Sequence, residues 1–287
     1  MSHPLYVAFI WHQHQPLYKS RSASPLPAPE ADVPNIGQYH LPWVRLHGTK
    51  DYLDLVLLLE RYPKLHQTVN LVPSLILQLE DYIAGTAVDP YLAVALTPAE
   101  KLSEEQRRFI IEHFFDANHH TLIDPNPRYA QLYEQRQENG RAWCLANWEA
   151  GDYGDLLAWH NLAWIDPLFW DDPDIAAWLK KGKNFNLSDR RRIWAKQQEI
   201  LSRIGPQHRK MQDRGQLEVI TSPYTHPILP LLADTNVGRV AVPQMNLPEQ
   251  RFQWEEDIPR HLQKAWDMYE DRFGCVPRGL WPSEQAV

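Results

Sequence analysis

The stretch Gly215–Pro230 places an acid where acids are costly. Leu217, Val219, Ile220 and Thr221 are strand formers, bounded by Gly215 before them and Ser222-Pro223 after. Glu218 stands in the middle of that apolar run. Side chains alternate along a strand, so Gln216, Glu218 and Ile220 share one face. A carboxylate there must be hydrogen-bonded, face a polar cavity or stand on an exposed edge. His226 follows in a loop stiffened by Pro223 and Pro227. Near the N-terminus the apolar run Leu5–Trp11 leads into His12-Gln13-His14-Gln15-Pro16. His12 and His14, two apart at the end of a strand, point the same way. Near the other end, Gly279-Leu280-Trp281-Pro282-Ser283-Glu284 puts a second acid just past a short strand.

Two chemistries fit these residue types. Glycoside hydrolysis with retention needs one carboxylate to attack the anomeric carbon and a second group to protonate the leaving oxygen, with the two about 5–5.5 Å apart. By residue type alone, Glu218 and Glu284 are that pair. Histidines in such a site donate hydrogen bonds to sugar hydroxyls. The alternative is a metal site. A His-x-His pair at a strand end is good ligand geometry, and with Glu218 and His226 it would serve a metal-dependent hydrolase or deacetylase on a related barrel. His113, His119, His120, His160 and His208 are expected as surface or satisfied helix residues. Tyr153, Trp159, Trp164 and Trp170 have helical spacing, which suits core packing, and could instead stack on sugar rings at the rim of a cleft.

The elements that position these groups read as α/β. Leu5–Trp11 is nearly all apolar and is expected as a first strand buried on both faces, as in a parallel sheet. Ser20–Gly37, rich in Pro, Ser and Ala, is expected to be a long surface loop above it. A helix over Val44–Arg61, stopped by Pro63, precedes a second strand at His66–Leu71 that carries Asn70 near its end. A further helix covers Pro73–Tyr82. Residues 95–213 then read as a helical insertion between the second and third strands. Its first helix is expected to open on a capping box at Thr97-Pro98-Ala99-Glu100 and run to Phe114. Others are expected at Pro127–Glu138, Tyr153–Ala163, Asp174–Lys181 and Ser188–Ile204. The third strand is Gln216–Thr221, and a short fourth is expected at Arg239–Val242. A helix over Asp257–Phe273 leads to a fifth strand at Gly279–Trp281. Five strands are too few to close a barrel, for which about eight is usual. The expectation is therefore the N-terminal portion of a longer protein.

Composition narrows the function. The chain has 287 residues, 44% of them hydrophobic, enough for a substantial core. A net charge of -7 gives no electrostatic case for nucleic acid or an anionic membrane surface. Leu5–Trp11 is too short to cross a bilayer or to act as a signal-peptide core. Cys144 and Cys275 match no metal or redox spacing, so a reduced cytoplasmic setting is the default. The twelve tryptophans suit a site that stacks flat, amphipathic ligands.

Taken together, Trp11–Pro16, Gly215–Val219 with Ser222–Pro227, and Gly279–Glu284 resemble family 57 of the glycoside hydrolases, in the family's order and across the whole chain. The resemblance implies an incomplete (β/α)7 barrel and a retaining enzyme acting on α-glucans or maltooligosaccharides, as α-amylase, amylopullulanase, branching enzyme or 4-α-glucanotransferase. It implies no cofactor and no metal. Glu284 matches the catalytic nucleophile, and His14 and Glu218 match substrate-binding residues. Asn70 and Trp281 lie near matching segments, and His12 and His226 join them as substrate-binding candidates. The resemblance therefore moves Glu218 from acid to sugar binder. It places the acid/base on an aspartate in a later motif, which the chain stops short of. The chain alone is then expected to be a poor catalyst or only an oligosaccharide-binding fragment, with a C-terminal segment as the partner that completes the barrel.

Overall fold

A computed structural model describes residues 5–19 and 37–287. Five strands are present: β1 (Ile10–Gln13), β2 (Gly37–Gln38), β3 (Gln67–Leu71), β4 (Ala87–Val88) and β5 (Leu217–Ile220). Two compact units share the chain. The first comprises Met1–Leu17, Leu55–Glu80 and Ile204–Val287, and the second Tyr18–Asp54 and Asp81–Arg203.

The first unit is built on a parallel sheet in the order β1-β3-β5. Ile10 pairs with Thr68 and His12 with Asn70, while Thr68 pairs with Glu218 and Asn70 with Ile220. The segment expected as a fifth strand extends this ladder by one bridge. Leu280 pairs in parallel with Thr221, whose N–H donates to Gly279 O at 3.3 Å, and the Trp281 N–H donates to Thr221 O at 2.8 Å. Gly279 is required by closeness, since a Cβ there would lie 2.6 Å from Ile220 Cγ2. Before that bridge, side chains finish the outer edge of β5. The Val219 N–H donates to Gln212 Oε1 at 3.0 Å, and its carbonyl accepts from the Tyr269 hydroxyl at 2.7 Å. An edge strand's orphan backbone groups are thereby satisfied by helices Ile204–Asp213 and Asp257–Phe273. Val69, Leu71, Leu75, Val219, Met211, Ala265, Tyr269 and Phe273 are buried in this layer.

Several sequence expectations change here. Leu5–Trp11 is strand only from Ile10, and it is exposed rather than buried, Leu5 by 89%. β1 ends the sheet, so it lacks the flanking layers that cover a central parallel strand. Arg239–Val242, expected as a fourth strand, is instead a helical turn over Gly238–Ala241. Its Val-rich composition matched a strand, but a four-residue apolar run does not distinguish the two. The described residues form an open three-stranded sheet with one added bridge, not a closed barrel. The loop expected at Ser20–Gly37 lies outside the described residues apart from its last, Gly37, which opens β2.

The second unit is almost entirely helical, with β2 and β4 paired in parallel as its only sheet among the described residues. Helices Glu104–His113, Pro127–Asn139, Arg141–Asn147, Ala150–Ala163, Pro173–Lys181 and Leu187–Ser202 follow one another. The capping box opens at Ser103 rather than at Thr97. Ser103 Oγ accepts from Gln106 N, and Gln106 Oε1 accepts from Ser103 N. Thr97 is occupied elsewhere, its hydroxyl donating to Ala93 O at the end of helix Pro90–Ala95. Tyr153, Trp159 and Trp164 are core residues, whereas Trp170 is 43% exposed. At the centre, the fully buried Arg45 donates to Asp89 at 3.2 Å, Asn161 at 2.5 Å and Gln197 at 2.9 Å.

Candidate active site

The C-terminal ends of the parallel strands gather the residues singled out above, all within the first unit. β1 delivers His12 and, just past its end, His14. β3 presents Asn70 in register with His12. The turn after β5 brings Ser222 and His226, and the bridge at Leu280 brings Trp281 and Glu284. The three imidazoles lie against one another. Ring centroids are 4.1 Å apart for His14 and His226, 5.0 Å for His12 and His226, and 5.4 Å for His12 and His14. Trp281 stacks on His12 at 5.6 Å with an interplanar angle of 23°.

Two of these residues are held in the left-handed region, which L side chains rarely adopt. His226 has φ 59° and closes a tight turn by donating its N–H to Pro223 O at 2.7 Å. Glu284 has φ 54° and ψ 23°, followed by Gln285 at φ 58°. Glu284 Oε1 lies 3.9 Å from His226 Nδ1, with the acid side chain 68% exposed and the histidine side chain 3%. Strain of this kind persists where surrounding structure over-determines it, and it clusters at functional sites.

Beneath the imidazoles is a small polar network. The Asn70 amide group lies 2.7 Å from His12 Nδ1 and 2.8 Å from Ser222 Oγ, and Ser222 Oγ is 3.2 Å from the other amide atom and 2.9 Å from Trp281 O. Asn70 and Ser222 are fully buried. Ser222 was not singled out by sequence reasoning. Its signal, a Ser-Pro directly after a strand, reads as a terminator rather than as a site residue.

Desolvation disfavours the charged form of all three rings. His14 is pushed down to about 4, chiefly by desolvation and then by His226 and His12. His12 and His226 are also lowered by desolvation, with the Glu284 carboxylate opposing the shift in both. Neutral imidazoles each offer one lone pair and one N–H. His14 Nε2 and His226 Nε2 are buried and have no hydrogen-bond partner among the described residues.

Glu218 stands apart from this group. It is exposed two residues below Ile220 on the same strand face, and its carboxylate accepts from Thr68 Oγ1 at 3.4 Å. The fold thus brings together His12, His14, Asn70, His226, Trp281 and Glu284, and leaves Glu218 lower on β5. No helix among the described residues is long and apolar enough to cross a membrane.

The model of the glycosyl hydrolase family 57 matches residues 8–287, a span that takes in all three motif segments. The chain belongs to glycosyl hydrolase family 57. A comparison with curated proteins finds no match. This family 57 chain is similar to a branching enzyme of the same family from Thermococcus kodakaraensis, solved in complex with glucose, at 18% identity over 97% of this chain and 33% of that one, with a TM-score of 0.39. It is similar to the α-amylase AmyC from Thermotoga maritima at 15% identity, over 96% of this chain and 35% of that one, with a TM-score of 0.42. A branching enzyme of this type from Pyrococcus horikoshii is 17% identical, over 97% of this chain and 34% of that one, with a TM-score of 0.40. The family 57 chain spans about a third of the length of each.

Proposed function

We propose that the chain carries the nucleophile half of a retaining glycoside hydrolase or transglycosylase acting on α-glucans. The family match over residues 8–287 carries this reading. Glu284 is the nucleophile, with its carboxylate exposed toward an approaching sugar and 3.9 Å from His226. It attacks the anomeric carbon, the bond to the leaving oxygen breaks, and a covalent glycosyl-enzyme ester remains until water or an acceptor hydroxyl displaces it. His12, His14 and His226 meet the hydroxyls of the reacting sugar, with Asn70 fixing the His12 ring and Trp281 offering a flat apolar surface. Glu218, lower on β5, takes a hydroxyl farther from the reacting carbon. The geometry is that of the C-terminal end of a parallel sheet, where α/β enzymes place their sites.

The nucleophile can be tested apart from leaving-group protonation. An α-glucosyl fluoride releases fluoride without an acid, so the first step depends on Glu284 alone. Incubation followed by peptide mass analysis should find a hexosyl adduct on Glu284, absent in Glu284→Gln. An adduct elsewhere, or unchanged fluoride release in Glu284→Gln, overturns the assignment.

A further inference from the structure

We propose that His119, His120 and Asp124, in the helical unit, bind a divalent transition-metal ion of the zinc type. The three stand on one turn. His119–Ile123 is a π-helix, and the Asp124 N–H donates to His119 O at 2.9 Å. An α-turn sets side chains three and four apart beside one another. The wider π-turn also brings the fifth residue on over the first, and such turns are rare and frequent at functional sites. Asp124 is five residues on from His119 and four on from His120, so its carboxylate faces both rings. Asn118 opens the turn, its side chain accepting from Thr121 N at 3.0 Å.

The donor atoms have the spacing an ion needs. Asp124 Oδ1 lies 3.0 Å from His119 Nε2, and Oδ2 lies 3.3 Å from His120 Nδ1. One ligand atom from each of the three residues lies within 4.8 Å of the others. Tetrahedral zinc with bonds of about 2.0–2.2 Å spaces its ligand atoms about 3.3–3.6 Å apart, so the rings need only close slightly on each other. His120 is free to turn, its side chain being 85% exposed. His119 is held, its ring centroid 4.5 Å from that of Tyr133 on helix Pro127–Asn139. Without an ion the carboxylate only accepts, so the ring nitrogens facing it carry protons. The ion replaces those protons. Each neutral imidazole then keeps its proton on the outer nitrogen, His119 Nδ1 or His120 Nε2, and turns a lone pair inward.

Two imidazoles and a carboxylate are ligand types of zinc sites, and three protein ligands leave a position open for water. Imidazole suits zinc, copper and nickel, whereas hard cations prefer oxygen. The guanidinium of Arg136, 5.4 Å from the Tyr133 ring, is engaged elsewhere, donating to Ile111 O and Glu112 O. His113 and Asp116, 3.3 Å apart, make a pair with a single imidazole and no third ligand. An ion on the 119–124 turn would fix the link between helices Glu104–His113 and Pro127–Asn139. The site lies outside the strand-end group and does not depend on the glycosidase reading.

The test is titration of chelator-treated protein with zinc, read by calorimetry, together with thermal midpoints measured with and without the ion. Wild type should take up one more ion per chain than the His119→Gln/His120→Gln double variant. Zinc should also raise its midpoint more, since an ion that binds only the folded chain stabilises it. Asp124→Asn should lose the same ion, and His113→Gln should keep it. These side chains are exposed, and far-UV circular dichroism checks that each variant folds. A wild-type chain that takes up no ion overturns the proposal. So does uptake equal in wild type and the double variant, or an ion lost only in His14→Gln and His226→Gln.

Discussion

At the scale of single residues, the site rests on a few atoms with no alternative partner. Ser222 is the clearest. Its hydroxyl joins the fully buried Asn70 on β3 to the Trp281 carbonyl. Ser222→Ala should cost about 1–3 kcal/mol, because removing one partner leaves a buried polar group unmade. Urea unfolding would show it as a lowered midpoint at unchanged slope, and a midpoint equal to wild type would mean the network is not under tension. His12 and His14 were legible in the sequence because their spacing and strand-end position constrain direction. His226 was legible because two prolines bracket it. What could not be read was their mutual contact, which depends on a turn with φ 59° at a histidine, a conformation no propensity favours. Glu218 is the counterpart. Its strand and face were legible, but not that it stands two residues short of the strand end.

At the scale of elements, the long periodic segments were legible and the short ones were not. Helix Asp257–Phe273 and strand Gln67–Leu71 stand where apolar spacing and flanking Gly and Pro put them. The turn at Gly238–Ala241 does not, since four residues carry no period. The exposure of Leu5–Trp11 was also illegible, because composition cannot say whether a strand is central or at an edge. One contact between elements gives a sharp test. Gly279 presses on Ile220, with only 2.6 Å between a would-be Cβ and Ile220 Cγ2. Gly279→Ala should destabilise by about 1–3 kcal/mol through overpacking. Ile220→Ala removes that methyl, so the two changes together should cost less than their sum in a double-mutant cycle. Strict additivity would mean the bridge at Leu280 tolerates a side chain.

At the scale of the whole molecule, buried histidines tie stability to pH. His208 is fully buried in helix Ile204–Asp213, its Nδ1–H donates to Ile204 O at 2.8 Å, and desolvation pushes it down to about 4. His160 in helix Ala150–Ala163 is pushed down to about 3, mainly by desolvation and then by Arg45. Between the folded value and about 6.5, the unfolded chain holds a proton that the folded chain does not. Stability is therefore full above pH 6.5 and is lost as pH falls toward 4, by about 3 kcal/mol for His208. Urea midpoints measured from pH 7 to pH 4 should fall, and His208→Gln should flatten part of that fall. An identical slope in the variant would assign the acid sensitivity to other groups.

The way the two units divide the chain has a consequence in time. Each is assembled from stretches that the other interrupts, so neither is a contiguous length of sequence. Arg45 meets Asp89, Asn161 and Gln197 at separations of 44, 116 and 152 residues, and β3 pairs with a strand whose first residue is Leu217. Until those distant segments arrive, a guanidinium and a strand edge wait without their partners. Contacts so remote in sequence must overcome loop-closure entropy before they give anything back, which slows folding toward the millisecond-to-second range of non-local topologies. A ribosome releasing this chain from its N-terminus therefore completes neither unit early: the second cannot close before Gln197 has emerged to meet Arg45, nor the first before Leu217 has emerged to meet β3.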